Sequence, residues 1–322
     1  MKGLVLQGIN FGPVIMASGM NNYLGEGYPF HRCIPWLDFS RLTFVAKTPT
    51  LKPRKGNMPL IGTMPKKFKP DCIKVYPFRG GGIVLNAVDL SGPGLGALLE
   101  TGVWQKMTKP FFIPFMAVGQ TRESRILETH SFALKLKEHL PDFQAKIGVQ
   151  VNISCPNTGH NLQELIEETV AYLKLVSIIN VPIDLKISVL TPVDVVKKIV
   201  ETGLLDSLTV SNSIPWGFLP EKIDWQKIFG RSQSPLAHYG GGALSGAPLL
   251  PLVHEWVVNA QRAKIDIPVV AGGGIQYPDD VNTLFGCDIV KAIMVGSVTM
   301  LKPWNFPRIV SRAYEVAESR NQ

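Results

Sequence analysis

The sequence predicts an α/β fold, a (β/α)8 TIM barrel with a long loop insertion after its second strand, and three observations carry that expectation. Short runs of apolar and β-branched residues recur along the 322 residues. Longer stretches with apolar residues at helical spacing lie between them. Glycine clusters follow the last two runs, where barrels of this kind commonly hold phosphate.

Eight runs read as strands: 13–17, 42–46, 112–118, 148–153, 183–187, 207–211, 267–271 and 289–295. Most are continuously apolar, as parallel strands covered on both faces must be. Helical patterns occupy 121–140, 161–176, 192–202, 248–263, 277–285 and 305–317. The second of these repeats through Leu162, Leu165, Ile166, Val170 and Leu173. Such alternation builds βαβ units and a parallel sheet. Eight strands suit a closed barrel, and barrels of about 250 residues with insertions form one domain. A single domain spanning 1–322 is therefore expected. The stretch from Thr48 to Leu95 breaks the rhythm, being rich in Pro, Gly and Lys. After a second barrel strand it would lie over the C-terminal face, and a folded cover is the expectation there.

Composition narrows the function. Apolar residues make up 45 % and charged ones 18 %, which suits a large buried core and excludes a disordered chain. The net charge of +8 is spread, apart from Lys66, Lys67, Lys69 and Lys74. No basic helix with interleaved aromatics appears, so nucleic acid is not an expected partner. Cys33, Cys72, Cys155 and Cys287 are far apart with no CxxC pair, and the histidines have no paired ligand at useful spacing. No metal is expected. No signal peptide is seen, and no apolar stretch reaches the ~18 residues of a membrane span. A cytoplasmic protein acting on a small molecule, without membrane association, is the expectation.

Three constellations carry chemistry. The string Val151-Asn152-Ile153-Ser154-Cys155-Pro156-Asn157-Thr158 ends the fourth strand. It brings a thiol to the barrel mouth between two asparagines, which can read an amide–carbonyl edge. A thiol there can act as nucleophile or proton base. Second, Gly272-Gly273-Gly274 follows the seventh strand and Gly296-Ser297 the eighth. Glycines at these ends let backbone N–H groups approach an anion. Third, polar groups end other strands: Ala17-Ser18-Gly19, Lys47-Thr48, Lys186 and Asn212-Ser213. A lysine at an apolar strand end can offset negative charge on a cofactor or a substrate carboxylate. No GxGxxG fingerprint opens the chain, which excludes a Rossmann site.

Together these residues resemble the dihydroorotate dehydrogenase family, chiefly its soluble class 1 members, from Gly8 to about Leu301. The Asn-Ile-Ser-Cys-Pro-Asn string is specific to that family and to the related catalytic domain of dihydropyrimidine dehydrogenase. Supporting it are Ala17-Ser18-Gly19, the stretch from Lys47 to Asn57, Leu85-Asn86-Ala87, and Gly241-Gly242-Ala243-Leu244-Ser245-Gly246. The resemblance implies FMN in the barrel mouth and oxidation of dihydroorotate to orotate, a step of pyrimidine biosynthesis. Cys155 would be the proton base, with hydride passing between the neighbouring carbon and flavin N5. Lys47, Asn86, Asn152, Asn157, Asn212 and Ser213 would hold the substrate. Ala17, Ser18, Gly19, Lys47, Thr48, Asn152, Lys186, Gly246, Gly272, Gly273, Gly274, Gly296 and Ser297 would line the FMN site. A homodimer is implied. The electron acceptor stays open between a soluble oxidant such as fumarate, a partner subunit and NAD(P)H. The membrane-bound class uses serine as base, so Cys155 points to the soluble class.

The chain departs from the family where a Gly-Leu-x-Asn-x-Gly pattern is usual. It reads Asp89-Leu90-Ser91-Gly92-Pro93-Gly94. A carboxylate at 89 beside the pocket for orotate's carboxylate would repel it. The loop after the cysteine is also short, at Thr158-Gly159-His160-Asn161. A substrate other than dihydroorotate is therefore an alternative, as in a dihydropyrimidine dehydrogenase-like or other ene-reducing flavoenzyme. A non-catalytic phosphate-ligand barrel is another. An RNA-acting dihydrouridine synthase is disfavoured by the different Cys-Pro neighbourhood and by the lack of room for an RNA-binding domain.

Overall fold

The computed structural model describes residues 3–153 and 162–320. Cys155, Asn157 and the loop 158–161 lie outside the described residues.

Seven of the apolar runs form one parallel sheet. Its spatial order is Val14–Met16, Val290–Val295, Val269–Ala271, Ser207–Val210, Ile183–Ile187, Ile147–Asn152 and Phe111–Phe115. The eighth run, 42–46, pairs only through two isolated parallel bridges, Ile15 with Thr43 and Val45 with Phe112. Those bridges join the two edges of the sheet. Thr43 N–H donates to Val14 O at 3.0 Å, and Phe112 N–H donates to Phe44 O at 3.0 Å. The curled sheet thus closes on itself, as the expected barrel does.

The barrel interior is filled in layers. At its base Ile15, Val45, Phe112, Val270, Ala292 and Met294 pack on Leu4, Leu6 and Phe11. The last three belong to an antiparallel N-terminal hairpin, Leu4–Leu6 with Ile9–Gly12, which plugs that end. Phe11 stacks on Phe112 with centroids 4.3 Å apart. Above them lies a polar layer of Gln150, Asp184, Ser207 and Thr209, all buried. Alternate residues of each strand face inward, so these positions recur at a spacing of two.

Helices pack outside, where their apolar stripes cover the strands. Arg122–His139 is capped by Thr121, whose side chain accepts from Ser124 N–H at 3.2 Å. Its Phe132 stacks on Phe115 at 4.1 Å, and burying such a ring stabilises by about 1.5–3 kcal/mol. Leu162–Ser177, Val193–Val200, Leu249–Arg262, Pro278–Phe285 and Phe306–Ser319 follow later strands. The first strand is followed by no α-helix, only the short 3-10 turn Pro29–Cys33.

The segment after the second strand folds into a cover. Ile73–Tyr76 and Ile83–Asn86 form a hairpin. Ile83–Asn86 also pairs with Ala243–Gly246, from the connection after the sixth strand. Ile214–Pro215 completes this four-stranded antiparallel sheet. Trp225, Phe229, Ile214 and Leu244 give it a small core of its own. Among the described residues no helix is long and apolar enough to cross a membrane, and no cluster of His, Cys, Asp and Glu could hold a metal ion.

Candidate active site

A cavity of about 850 Å³ opens at the C-terminal ends of the barrel strands, between the strand ends and the accessory sheet. Most of the expected site residues meet there. The strand ends contribute Ala17, Ser18, Gly19, Lys47, Thr48, Asn152, Lys186, Asn212, Ser213, Gly273, Gly274, Gly296 and Ser297. The accessory sheet brings Asn86 and Gly246 to the opposite wall. Tyr28 and Phe30, together with Lys67 and Lys74 of the cover, form the rim.

Gly272 does not line the cavity. Its N–H donates to Val210 O at 2.5 Å and its carbonyl accepts from Ser211 N–H at 2.7 Å. A Cβ there would sit 2.5 Å from that of Met294, so this glycine serves strand packing behind the site. Gly273 and Gly274 have φ of 143° and 82°, a region that side chains resist. The N–H groups of Gly273, Gly274 and Ser297 have no acceptor among the described residues. All three residues line the cavity, and Gly273 and Gly274 lie against the start of the helix Leu249–Arg262.

Two ammonium groups reach the same cavity. Lys186 is buried, and its ammonium has no hydrogen-bond or ion-pair partner among the described residues. Burial lowers its pKa to about 8, while Asp184 two residues earlier opposes the drop. Lys47 is also buried, and its Nζ donates to Ser91 O at 2.6 Å and to the Tyr23 hydroxyl at 3.0 Å. Burial lowers it too to about 8, with Cys72 and Glu26 opposing. A site that desolvates two cations is prepared for an anionic occupant.

Polar edges complete the wall. Asn212 Nδ2 donates to Asn152 Oδ1 at 3.0 Å. That leaves the Asn152 amide NH2 and the Asn212 carbonyl oxygen to pair with an amide edge. The Ser213 and Ser245 hydroxyls stand 2.6 Å apart. Ser18 Oγ donates to Ala46 O at 2.9 Å and accepts from Thr48 N–H at 3.0 Å, which stitches the first two strand ends together.

The structure corrects one sequence expectation. Asp89 does not face the cavity, although its neighbours Val88 and Leu90 line it. With φ of 53° it turns outward, and Arg54 Nη2 donates to both carboxylate oxygens at 2.7 and 2.9 Å. Its side chain is half exposed. The repulsion expected of Asp89 on an anionic substrate is therefore absent. Sequence reasoning also overlooked Tyr23, Asp184 and Ser245. Asp184 stands in an apolar strand and carried a visible signal, a charge at an inward-facing position. Tyr23 carried none.

A closed parallel barrel with two desolvated cations and a run of glycines at its C-terminal mouth defines a (β/α)8 barrel with a candidate active site at that face. The chain belongs to the dihydroorotate dehydrogenase family, whose model matches residues 5–312. It is 26 % identical over 310 residues to the "Dihydroorotate dehydrogenase B (NAD(+)), catalytic subunit" of Geobacillus sp. (strain WCH70), covering 93 % of this chain and 85 % of that one. It is 27 % identical over 321 residues to the protein of the same name from Cutibacterium acnes, covering 95 % and 90 %. A solved Eimeria tenella structure, DHODH in complex with ferulenol, matches with a TM-score of 0.63 at 17 % identity. That alignment covers 98 % of this chain and 86 % of the other, and it bears on the fold alone.

Proposed function

We propose that this chain is an FMN-dependent dehydrogenase that oxidises dihydroorotate to orotate on a single domain. The observation that carries the reading is the convergence of Lys47, Lys186 and the Asn152–Asn212 amide pair in one cavity. Family membership supports the substrate. The residues fit the cofactor: Lys186 is a buried ammonium without a hydrogen-bond or ion-pair partner among the described residues, and the N–H groups of Gly273, Gly274 and Ser297 can take a phosphate. When bound, FMN supplies the two-electron acceptor for the hydride leaving the substrate CH–CH unit.

The chain's own residues do the rest. Lys186 offsets negative charge on the flavin ring, and its low pKa costs less once an anion stands beside it. Lys47 offers an N–H to the substrate. Asn152 and Asn212 read the amide edge of the pyrimidine ring, and Asn86, Asn157 and Ser213 complete its binding. Cys155, three residues beyond the strand Ile147–Asn152, takes the proton from the carbon next to the one that loses hydride. The accessory sheet forms the wall opposite the strand ends and limits the water that reaches that transfer. The relatives' names, catalytic subunits of an NAD(+) form, favour a partner subunit as the route by which electrons leave.

The reading is tested by releasing the bound cofactor. Heat-denatured protein should yield FMN in about one-to-one ratio, and orotate should perturb the flavin spectrum of the native protein. Protein that carries no flavin and takes up none on reconstitution would sink it.

A further inference from the structure

We propose that Tyr23 is a positioning residue for the Lys47 ammonium, and that Tyr23 and Gly92 form a matched pair fixing what Lys47 offers to the cavity. The proposal deepens the functional reading above, since it rests on an anion being bound beside Lys47.

Tyr23 is fully buried. Its backbone is pinned by Trp104, whose Nε1–H donates to Tyr23 O at 2.8 Å. Its hydroxyl donates to Ser91 O at 2.5 Å. Having given its proton away, that oxygen meets Lys47 as an acceptor, 3.0 Å from Nζ. The Lys47 nitrogen also stands 4.5 Å from the centroid of the Tyr23 ring. Two of the three ammonium protons thus go to Ser91 O and Tyr23 Oη, and the third remains for the cavity. A lysine on its four-carbon stem sweeps many rotamers, and two fixed acceptors select one.

The other titratable groups near Lys47 cannot do this. Glu26 is engaged elsewhere, accepting from Asn22 Nδ2 at 2.9 Å and from Leu24 N–H at 2.7 Å. Burial pushes the Cys72 thiol up, and the acceptors that hold Nζ are Ser91 O and the Tyr23 hydroxyl. The Tyr28 hydroxyl donates to Gly19 O at 2.7 Å.

Gly92 belongs to the same device. A Cβ at position 92 would collide with the Tyr23 hydroxyl and lie 3.1 Å from Cζ. The room for a side chain at 92 is taken by the hydroxyl of Tyr23. The polar group at this spot comes from residue 23, and it addresses Lys47.

The experiment compares Tyr23→Phe, Gly92→Ala and the double variant with the wild type, on protein as purified. Competitive labelling with acetic anhydride across pH, read by mass spectrometry, reports the ionisation of Lys47 directly. The wild type should titrate near a pKa of about 8. Tyr23→Phe, which keeps the ring and removes one acceptor of the charged form, should titrate lower. Orotate should bind that variant about tenfold more weakly, the scale of one lost charged hydrogen bond. Its KM for dihydroorotate should rise more than its kcat falls. Gly92→Ala should lower the melting temperature, and Tyr23→Phe should relieve much of that loss, because the colliding oxygen is gone. Unchanged Lys47 labelling in Tyr23→Phe, or strictly additive melting shifts in the double variant, would overturn the proposal. A wild type that binds no orotate would count against the functional reading alone, while labelling and melting would still decide the role of Tyr23.

Discussion

Lys186 stands two residues above Asp184 on one strand, a buried ammonium at the cavity floor over a buried carboxylate in the barrel interior. Asp184 accepts from Ser207 Oγ and Thr209 Oγ1 at 2.7 Å each, and from Gln150 Nε2 at 2.9 Å. Burial raises its pKa, against the pull of these three donors and of Lys186. The column gives the floor of the site a cation with its counter-charge placed on the side away from the cavity.

Replacing Asp184 with Asn should remove that counter-charge and leave the lysine. Three donors lose their charged acceptor, so stability should fall by about 1–3 kcal/mol, read by urea unfolding. The Lys186 pKa should fall below that of the wild type, since the opposing carboxylate is gone. An unchanged Lys186 titration would separate the two residues.

The two lysines also dictate how stability depends on pH. Each has a folded pKa near 8 against an ordinary value of 10.5. Between those values the unfolded chain binds more protons than the folded one, so stability rises with pH across that window. The burden is fully present below about pH 8 and costs on the order of 1–3 kcal/mol per lysine. Tyr23 and Tyr28 work oppositely near pH 10, because burial raises both hydroxyls and the unfolded chain ionises first. Flavin-free protein should therefore gain melting temperature from pH 8 to about 9.5, and Lys186→Met should diminish the gain. A flat or falling profile over that range contradicts the electrostatics of the site.

Asp89→Ala should be nearly silent. The Arg54–Asp89 pair is substantially exposed, and such pairs contribute about 0–1 kcal/mol. Orotate affinity should stay within about twofold of wild type, since the carboxylate is turned away from the cavity. A clear gain in affinity would restore the repulsion that the sequence suggested.

Glu168 joins two barrel helices. Arg125 donates to it through Nε at 2.5 Å and Nη2 at 2.7 Å, and the Tyr172 hydroxyl donates as well. Burial works to raise its pKa, but these donors prevail and hold it below the usual glutamate value. The stability it contributes is thus present above the ordinary glutamate pKa and lost as pH falls through the folded one. Glu168→Gln should cost about 1–3 kcal/mol near neutral pH, with a smaller difference from wild type in acid, measured by thermal melting.

The barrel was legible because its strands are continuous apolar runs, a pattern few other folds need. Strand limits moved by a few residues: 112–118 became Phe111–Phe115, and 13–17 shortened to Val14–Met16. The run at 42–46 closes the barrel with two bridges only. The N-terminal hairpin escaped notice because its turn uses Gln7 and Gly8, both at positive φ, without the usual Asn-Gly signal. The accessory sheet escaped because its strands come from connections about 130 residues or more apart in sequence, and pairing over such distances leaves no local period. Lys47 and Lys186 were legible as charges at apolar strand ends. Asp89 misled because its direction depends on a backbone turn and on Arg54, which no pattern reveals. The reason for Gly92 lies in Tyr23, 69 positions earlier, and only the folded chain puts them together.

Anaerobic mixing with dihydroorotate, followed at the oxidised-flavin absorption band, tests the central claim most directly. The wild type should bleach rapidly, and Cys155→Ala should bleach slower by about 10²–10⁴ while keeping its flavin. A yellow protein that dihydroorotate does not bleach, or a Cys155→Ala variant as fast as wild type, would contradict the account.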